Sequence, residues 1–389
     1  MAADAAGSRA DAIAREELAA LSARGLLRTL APSQSPPGAF VTLGGERLVN
    51  FSSNDYLGLA ADPRVARALA DGALAWGAGA GASRLVTGDY LPQHELEEAL
   101  ARFEGTEAAV LFNSGYAANC GLLPTFAGPG DLILSDALNH ASLIDGCRLS
   151  RARVEVYPHG DADAAEALLA RLPGRRKLVV TDSIFSMDGD AAPLALLSQA
   201  CERHGALLVV DEAHATGVLG PHGEGLARAL GVRADLRMAT LSKAAGVAGA
   251  HVSGSREVCD LLVNRARPLV YSTALPPALA CAALVSLQLL AGPVGDERRA
   301  HLRALTQRLA RGLHALGLKA SEDSPIFPVV LGEPARALQA AALLRGRGLL
   351  VKPIRPPTVP EGTSRLRIAL SAAHSAEQVD ALLSALGEL

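Results

Sequence analysis

The chain has 389 residues, enough for two domains or for one large domain with an appendage. Hydrophobic residues make up 49% of it, ample for a buried core, and the net charge of −3 argues against a general nucleic-acid binder. The five cysteines (Cys120, Cys147, Cys201, Cys259 and Cys281) show no CxxC pair and no metal-ligand spacing, which fits reduced thiols in a cytoplasmic protein better than disulfides or a metal site.

In chain order, residues 1–30 read as an amphipathic helix that Pro32, Pro36 and Pro37 stop. Its polar start, with Asp4, Arg9 and Asp11, lacks the apolar core of a secretory signal. Residues 41–51 alternate around Gly44-Gly45 as a hairpin does, and 51–58 mix polar and aromatic residues as a loop. Asp62-Pro63 caps a helix running to Trp76, residues 77–84 form a glycine-rich loop, and Pro92 starts a second helix to 102.

From Ala108 onward short apolar runs recur, at 108–112, 131–134, 154–157, 178–181, 207–210, 236–240 and 250–253. Helical segments separate the earlier ones, which predicts an α/β fold with a mostly parallel central sheet covered by helices on both faces. Residues 269–295 carry no charge, but Pro276-Pro277 divides them and 278–291 is too short to span a bilayer, so a buried core helix is expected rather than a membrane segment. A helix at 297–316 leads into strands at 328–331, 349–353 and 365–370 and helices at 335–347 and 376–386. The expected organisation is an N-terminal helix and hairpin segment (1–50), a large domain (51–290) and a smaller C-terminal α+β domain (291–389).

In such a sheet a ligand sits outside the carboxyl ends of the strands, so the polar residues there carry the functional reading. After 108–112 comes Asn113-Ser-Gly-Tyr, opening a helix: its free N–H groups and dipole suit a phosphate, and Tyr116 suits an aromatic cofactor. Further strands end in Ser135-Asp-Ala-Leu-Asn-His140, Asp182-Ser-Ile-Phe-Ser186 and Asp211-Glu-Ala-His214. Asp211 closes a charge-free apolar strand, where a carboxylate is costly without a cationic partner. The protonated ring of pyridoxal phosphate would supply one, with His214 on its phenolic oxygen and His140 stacked over the ring. Lys243, one of only four lysines, lies in Thr240-Leu-Ser-Lys and suits the Schiff base to that cofactor.

Competing motifs fail on context. Asp211-Glu-Ala-His matches a helicase tetrapeptide, but no Gly-Lys pair exists to build the phosphate loop such an enzyme needs. Gly77-Ala-Gly79 with Ala82 loosely matches a dinucleotide fingerprint, yet it follows a predicted helix rather than a strand. There is no GxSxG and no HExxH.

Taken in order, Phe51-Ser-Ser-Asn-Asp-Tyr-Leu-Gly-Leu, Gly81-Ala-Ser-Arg-Leu-Val-Thr-Gly, Phe112-Asn-Ser-Gly-Tyr-Ala-Ala-Asn, Asn139-His-Ala-Ser, Phe185-Ser-Met-Asp-Gly-Asp, Asp211-Glu-Ala-His and Thr240-Leu-Ser-Lys closely resemble the α-oxoamine synthases over nearly the whole chain. These are pyridoxal-phosphate enzymes of the aspartate-aminotransferase fold. The resemblance implies that Lys243 bonds the cofactor, Asp211 pairs with its ring nitrogen, His214 meets the phenolic oxygen and His140 stacks. It further implies that Gly115, Tyr116, Ser186 and Thr240 contribute to the cofactor seat, and that Arg367 receives the amino-acid carboxylate. Arg28 and Thr358 match substrate contacts of one branch. The active site would lie at a homodimer interface, with Ser272 and Thr273 reaching the neighbouring subunit's phosphate. Residues 354–360 and 362–367 look most like the branch that joins L-alanine to pimeloyl-CoA or a pimeloyl-carrier protein in biotin synthesis. Ser83-Arg-Leu-Val-Thr-Gly is closer to glycine-using and serine-using branches. The alternatives are therefore the glycine C-acetyltransferase, 5-aminolevulinate synthase and serine palmitoyltransferase types, and a plain aminotransferase on the same fold.

Overall fold

The structure is a computed structural model that describes residues 8–389. Residues 1–7 of the expected N-terminal helix, Asp4 among them, lie outside the described residues. In order the elements are α1 (Arg9–Ala23), β1 (Phe40–Leu43), β2 (Glu46–Asn50), α2 (Pro63–Trp76), α3 (Leu91–Glu104), β3 (Ala108–Phe112), α4 (Gly115–Phe126), β4 (Leu132–Asp136), α5 (Ala141–Ser150), β5 (Arg153–Tyr157), α6 (Ala162–Arg171), β6 (Lys177–Asp182), α7 (Leu194–His204) and β7 (Leu207–Asp211). There follow α8 (Leu226–Ala229), β8 (Leu236–Thr240), β9 (Ala250–Gly254), α9 (Arg256–Arg265), α10 (Arg267–Tyr271), α11 (Pro277–Ala291), α12 (Pro293–Ala315), β10 (Ile326–Gly332), α13 (Pro334–Gly346), β11 (Leu349–Leu350), β12 (Lys352–Ile354), β13 (Ser364–Ala369) and α14 (Ala376–Leu386).

Seven strands form the central sheet in the order β3-β9-β8-β7-β6-β4-β5, parallel except for β9. The near-continuous apolar runs of β4, β6 and β7 follow from burial on both faces. Ile133, Leu178, Val180 and Val209 enter one apolar cluster with α4 and α9, whereas Leu132, Leu134, Val179, Leu208 and Val210 enter the opposite one with α6 and α7. The chain leaves β3 at one edge and re-enters as β4 near the other, so the carboxyl ends of β3, β4, β6, β7 and β8 open into one crevice.

The expected helix over 1–30 ends at Ala23, where Gly25 takes a left-handed φ of 64°. The single strand expected at 349–353 is two strands in two sheets: Leu349–Leu350 pairs parallel with β2, while Lys352–Ile354 pairs with β13. Val351, buried, marks the switch. Hairpin β1–β2 thus shares a sheet with β11, more than 290 residues on in sequence, a pairing that no local pattern encodes. The long helix begins at Pro293, not 297, because proline is tolerated in a first turn. Among the described residues no single helix is long and apolar enough to cross a membrane, and α11 with α12 reaches such a length only as a pair bent by 65°.

One ion-paired knot holds the loop after β6. His159 binds Asp136 Oδ1 at 2.9 Å and Asp190 Oδ2 at 2.8 Å, with its ring edge-on to Phe185. The two carboxylates raise the imidazole pKa to about 10. A raised folded-state pKa stabilises fully below the ordinary imidazole value, and that stabilisation fades as pH rises through about 10. His159→Ala should therefore cost about 1–3 kcal/mol near pH 6, and the gap in melting temperature from the parent protein should close as denaturation scans approach pH 10.

Candidate active site

Lys243 sits in the turn after β8, and hydroxyl and backbone bonds shape that turn. Thr240 Oγ1 accepts the Ser242 N–H at 3.2 Å and contacts Gly249 O at 3.0 Å. Gly246 N donates to Lys243 O, and Val247 N to Leu241 O. Gly246, at φ +68°, packs so tightly on Ala60 that a Cβ would lie 2.4 Å from the Ala60 nitrogen. The loop 51–60 therefore clamps the lysine turn from the other side.

The lysine amine ends in a cleft of about 220 Å³ whose wall includes Ser114, Gly115, His140, Asp182, Asp211 and His214. Its Nζ lies 2.9 Å from His214 Nε2. Burial lowers the lysine pKa to about 8, with Asp211 and Asp182 working against the shift and Arg367 adding to it. Burial, with Lys243, Arg367 and His140 nearby, holds His214 well below the usual imidazole range.

Asp211 closes β7, buried, with Oδ1 accepting Ala213 N–H at 2.8 Å and Oδ2 accepting Asn119 Nδ2 at 2.8 Å. Asp182 occupies the matching position on β6, paired in register with Asp211, and accepts the His140 backbone N–H at 2.7 Å. Burial and the neighbouring Asp211 push the Asp182 carboxyl well above the carboxylate range. Among the described residues neither carboxylate has a cationic side chain within salt-bridge distance. Asn139 bridges the strands, donating to Val180 O at 2.8 Å and accepting Asp182 N–H at 2.9 Å, and so aims its neighbour. That neighbour, His140, is the N-cap of α5 and accepts at Nδ1 from Ser142 N at 3.2 Å, which leaves its hydrogen on Nε2. Burial lowers the His140 pKa, Asp211 opposing and Lys243 adding.

These residues fit pyridoxal phosphate on their own chemistry. A buried carboxylate without a cation in reach suits a protonated ring nitrogen. The first N–H groups of α4, which no carbonyl inside the helix can accept, suit a phosphate. A buried amine with a depressed pKa suits bonding to an aldehyde.

Of the expected residues, Lys243, Asp211, His214, His140, Gly115, Tyr116 and Thr240 line this one cleft. Tyr116 is half exposed, and its hydroxyl donates to Asp145. Arg367, on β13, is buried beside the cleft: Nε donates to Ser186 O at 2.6 Å and Nη1 to Asn54 Oδ1 at 3.1 Å. Ser186 meets Arg367 through its carbonyl and does not line the cleft. Thr358 lines a second, larger cleft of about 570 Å³ with Leu26, Ile144, Met187 and Val359 and the charged Arg24, Asp188 and Glu361. Arg28 does not line it, but its Nη2 donates to Pro356 O, on the cleft wall, at 3.1 Å. Consecutive residues line the two clefts, Asn139 the larger and His140 the smaller. Ser272 lies apart, in a groove with Arg84 and Asn113, and Thr273 O accepts from Asn113 Nδ2 at 2.8 Å.

Three further residues complete the site. Asp182 carries the same signal that marks Asp211, a charge closing an apolar strand. Asn119 is a buried polar residue one turn into a largely apolar helix. Tyr56, whose hydroxyl lies 2.6 Å from His214 Nδ1, has no local signal at all.

A buried lysine facing unpaired strand-end carboxylates beneath a helix N-terminus defines a pyridoxal-phosphate-dependent enzyme of the aminotransferase fold. Similarity to known proteins agrees. The model of the family "Aminotransferase class I and II" matches residues 46–386. An 8-amino-7-oxononanoate synthase from Anaeromyxobacter dehalogenans is 59% identical over 373 residues, 95% of this chain and 93% of the relative. Serine palmitoyltransferase from S. paucimobilis, solved with PLP–myriocin bound, superposes with a TM-score of 0.91 at 30% identity, covering 98% of each chain. An 8-amino-7-oxononanoate synthase structure from Francisella tularensis gives 0.76 at 28% identity, covering 88% of this chain and 97% of that one. The chain belongs to the aminotransferase class I and II family and, within it, to the 8-amino-7-oxononanoate synthases, acyltransferases whose cofactor is pyridoxal phosphate.

In cofactor-free protein Lys243 should react with an amine reagent with a midpoint near pH 8, against about 10.4 for an ordinary lysine. Peptide-resolved mass spectrometry across pH, with Lys177, Lys319 and Lys352 as internal references, measures the difference.

Proposed function

We propose that this chain condenses L-alanine with a pimeloyl thioester, of coenzyme A or of a carrier protein, to give 8-amino-7-oxononanoate, the free thiol and carbon dioxide in biotin synthesis. The observation that carries this reading is the meeting of Lys243 and Asp211 in one buried cleft, beside a larger cleft, walled in part by Leu21, Leu26, Ile144, Met187 and Val359, of a size to take an acyl chain. The 59% identity to an 8-amino-7-oxononanoate synthase supports the choice of branch.

When bound, pyridoxal phosphate supplies an aldehyde for an amine and a protonated ring that takes up the electrons of a broken α-bond. Asp211 would hold the ring nitrogen, His214 the phenolic oxygen, and the N-terminus of α4 with Gly115, Tyr116 and Thr240 the phosphate end. Arg367 receives the alanine carboxylate, a role its buried guanidinium suits because its bonds to Ser186 O and Asn54 already fix its plane. Lys243 removes the α-proton of the bound alanine; an amine titrating near 8 is unprotonated often enough to act as a base. His140 then donates from Nε2 to the thioester carbonyl oxygen as negative charge gathers there. The thiolate leaves as the carbon–carbon bond forms. The carboxylate held by Arg367 is lost as carbon dioxide, and Lys243 returns a proton to the same carbon. Arg28 and Thr358 contact the acyl donor at the second cleft.

We propose a homodimer in which Ser272 and Thr273 reach the neighbouring subunit's phosphate. The support is a cluster of exposed apolar side chains, Leu85, Val86 and Tyr271, on segments held together by the Ala274 N–H to Ala82 O bond.

Purified protein supplied with pyridoxal phosphate, pimeloyl-CoA and L-alanine should yield a product whose mass equals the joined substrates less coenzyme A and carbon dioxide. Product with glycine alone would move the enzyme to a sister branch. Amino exchange with a keto acid and no thioester consumption would make it an aminotransferase. Asp211→Asn should lower kcat on the order of a hundredfold or more while the protein stays folded by circular dichroism. Near-normal turnover would remove Asp211 from its role.

A further inference from the structure

Tyr56 is fully buried, comes from the loop 51–60 and lines neither cleft. Its hydroxyl nevertheless links two functional groups. Arg367 Nη2 lies 3.4 Å from the Tyr56 oxygen, the Tyr56 oxygen 2.6 Å from His214 Nδ1, and His214 Nε2 2.9 Å from Lys243 Nζ. We infer that Tyr56 is a positioning residue which places the hydrogen of His214 on Nε2 and thereby favours the unprotonated form of the Lys243 amine. The inference rests on the reading of Lys243 as the reactive amine.

The argument is an accounting of donors and acceptors. Arginine can only donate, so the Tyr56 oxygen accepts from Arg367 and has its own hydrogen to give. Given along the 2.6 Å contact, that hydrogen satisfies His214 Nδ1; the ring's one hydrogen then sits on Nε2 and donates to the lone pair of a neutral Lys243. The reverse wiring needs a Lys243 ammonium donating to Nε2, Nδ1–H donating to Tyr56, and the Tyr56 hydrogen turned to Asn54 Oδ1 at 3.2 Å. That keeps the 2.6 Å contact but makes its donor an N–H, whose bonds usually run about 2.7–3.2 Å, whereas the separation suits an O–H donor. It also buries an ammonium in the field of the Arg367 guanidinium.

The groups facing Lys243 are Asp211 from β7, Asp182 from β6, His140 from the start of α5, Arg367 from β13 and His214 itself. Both carboxylates favour an ammonium. Asp211, however, already accepts from Asn119 and Ala213, and Asp182 from the His140 backbone. The tautomer of His214 therefore biases the amine: an Nε2–H needs the lone pair of a neutral Lys243, whereas a bare Nε2 accepts from amine and ammonium alike. The same Nε2–H is the donor that a phenolic oxygen of the cofactor requires, so one assignment serves both partners.

The test reads the tautomer and the amine separately from turnover. NMR of the ring nitrogens in isotopically labelled, cofactor-free full-length protein, with His214→Gln to assign the signal, should find His214 neutral and protonated on Nε2. A hydrogen on Nδ1 overturns the inference, and this reading of the parent protein needs no Tyr56 variant to fold. In Tyr56→Phe the imidazole is free to accept from an ammonium. Labelling of Lys243 at pH 7 should then slow about tenfold, its midpoint moving up by about one pH unit. An unchanged midpoint in a folded variant also overturns it. Borohydride reduction of the holoenzyme followed by peptide mapping tests the underlying reading. Cofactor trapped on another lysine sinks that reading and the inference with it. Cofactor on Lys243 with the wrong His214 tautomer sinks the inference alone.

Discussion

Two carboxylates, Asp182 and Asp211, close adjacent parallel strands inside the protein, with no cationic side chain in salt-bridge reach among the described residues. Much of the site is arranged around that electrostatic debt. Burying a carboxylate is tolerable only if hydrogen bonds or a cation compensate it. Asn119 and the Ala213 N–H partly satisfy Asp211, while the His140 N–H satisfies Asp182. With the Asp182 carboxyl pushed up by burial and by Asp211, what remains is the field of Asp211 at the bottom of a cleft whose wall includes a helix N-terminus. A ligand with a cationic ring and an anionic phosphate is the complement of that dipolar cavity.

Lys243 sits between these influences. Burial drives its pKa down and the carboxylates drive it up, and the balance leaves an amine titrating near 8. An ordinary surface lysine would be nearly all ammonium and could neither bond an aldehyde nor take a proton. The turn that places it depends on Gly246 lying against the backbone of Ala60. The loop 51–60 therefore does two things at once: its backbone seats the lysine turn, and its Tyr56 and Asn54 reach the histidine and arginine on either side.

In the proposed reaction the larger cleft beside the site would carry the acyl specificity. The small polar cleft holds groups common to amino-acid chemistry. The larger one is walled by α1, by the loop before β4's histidine and by residues 356–361, segments far apart in sequence. Changes in those walls would alter which acyl chain fits while leaving the lysine, the carboxylates and the arginine in place. That is consistent with one fold serving both 8-amino-7-oxononanoate synthase and serine palmitoyltransferase relatives.

The sequence by itself determined the elements whose signals are local. Apolar runs marked all seven strands of the main sheet to within two residues at each end, and a charge closing such a run marked Asp211. Proline and aspartate placed the start of α2, and the spaced motifs placed Lys243, His140 and His214. Tertiary structure alone decided what depends on distant chain segments. Residues 349–353 look like one strand because apolar alternation cannot tell which partner each half will meet. Tyr56 lies in a polar loop with no periodic signal, and its role arises only because that loop packs against β7's histidine and β13's arginine. Ser186 shows the converse: its motif is legible, yet the fold turns its carbonyl to Arg367 and leaves it out of the cleft wall. Periodicity reports which face of an element is buried; it carries no information on which other element lies there.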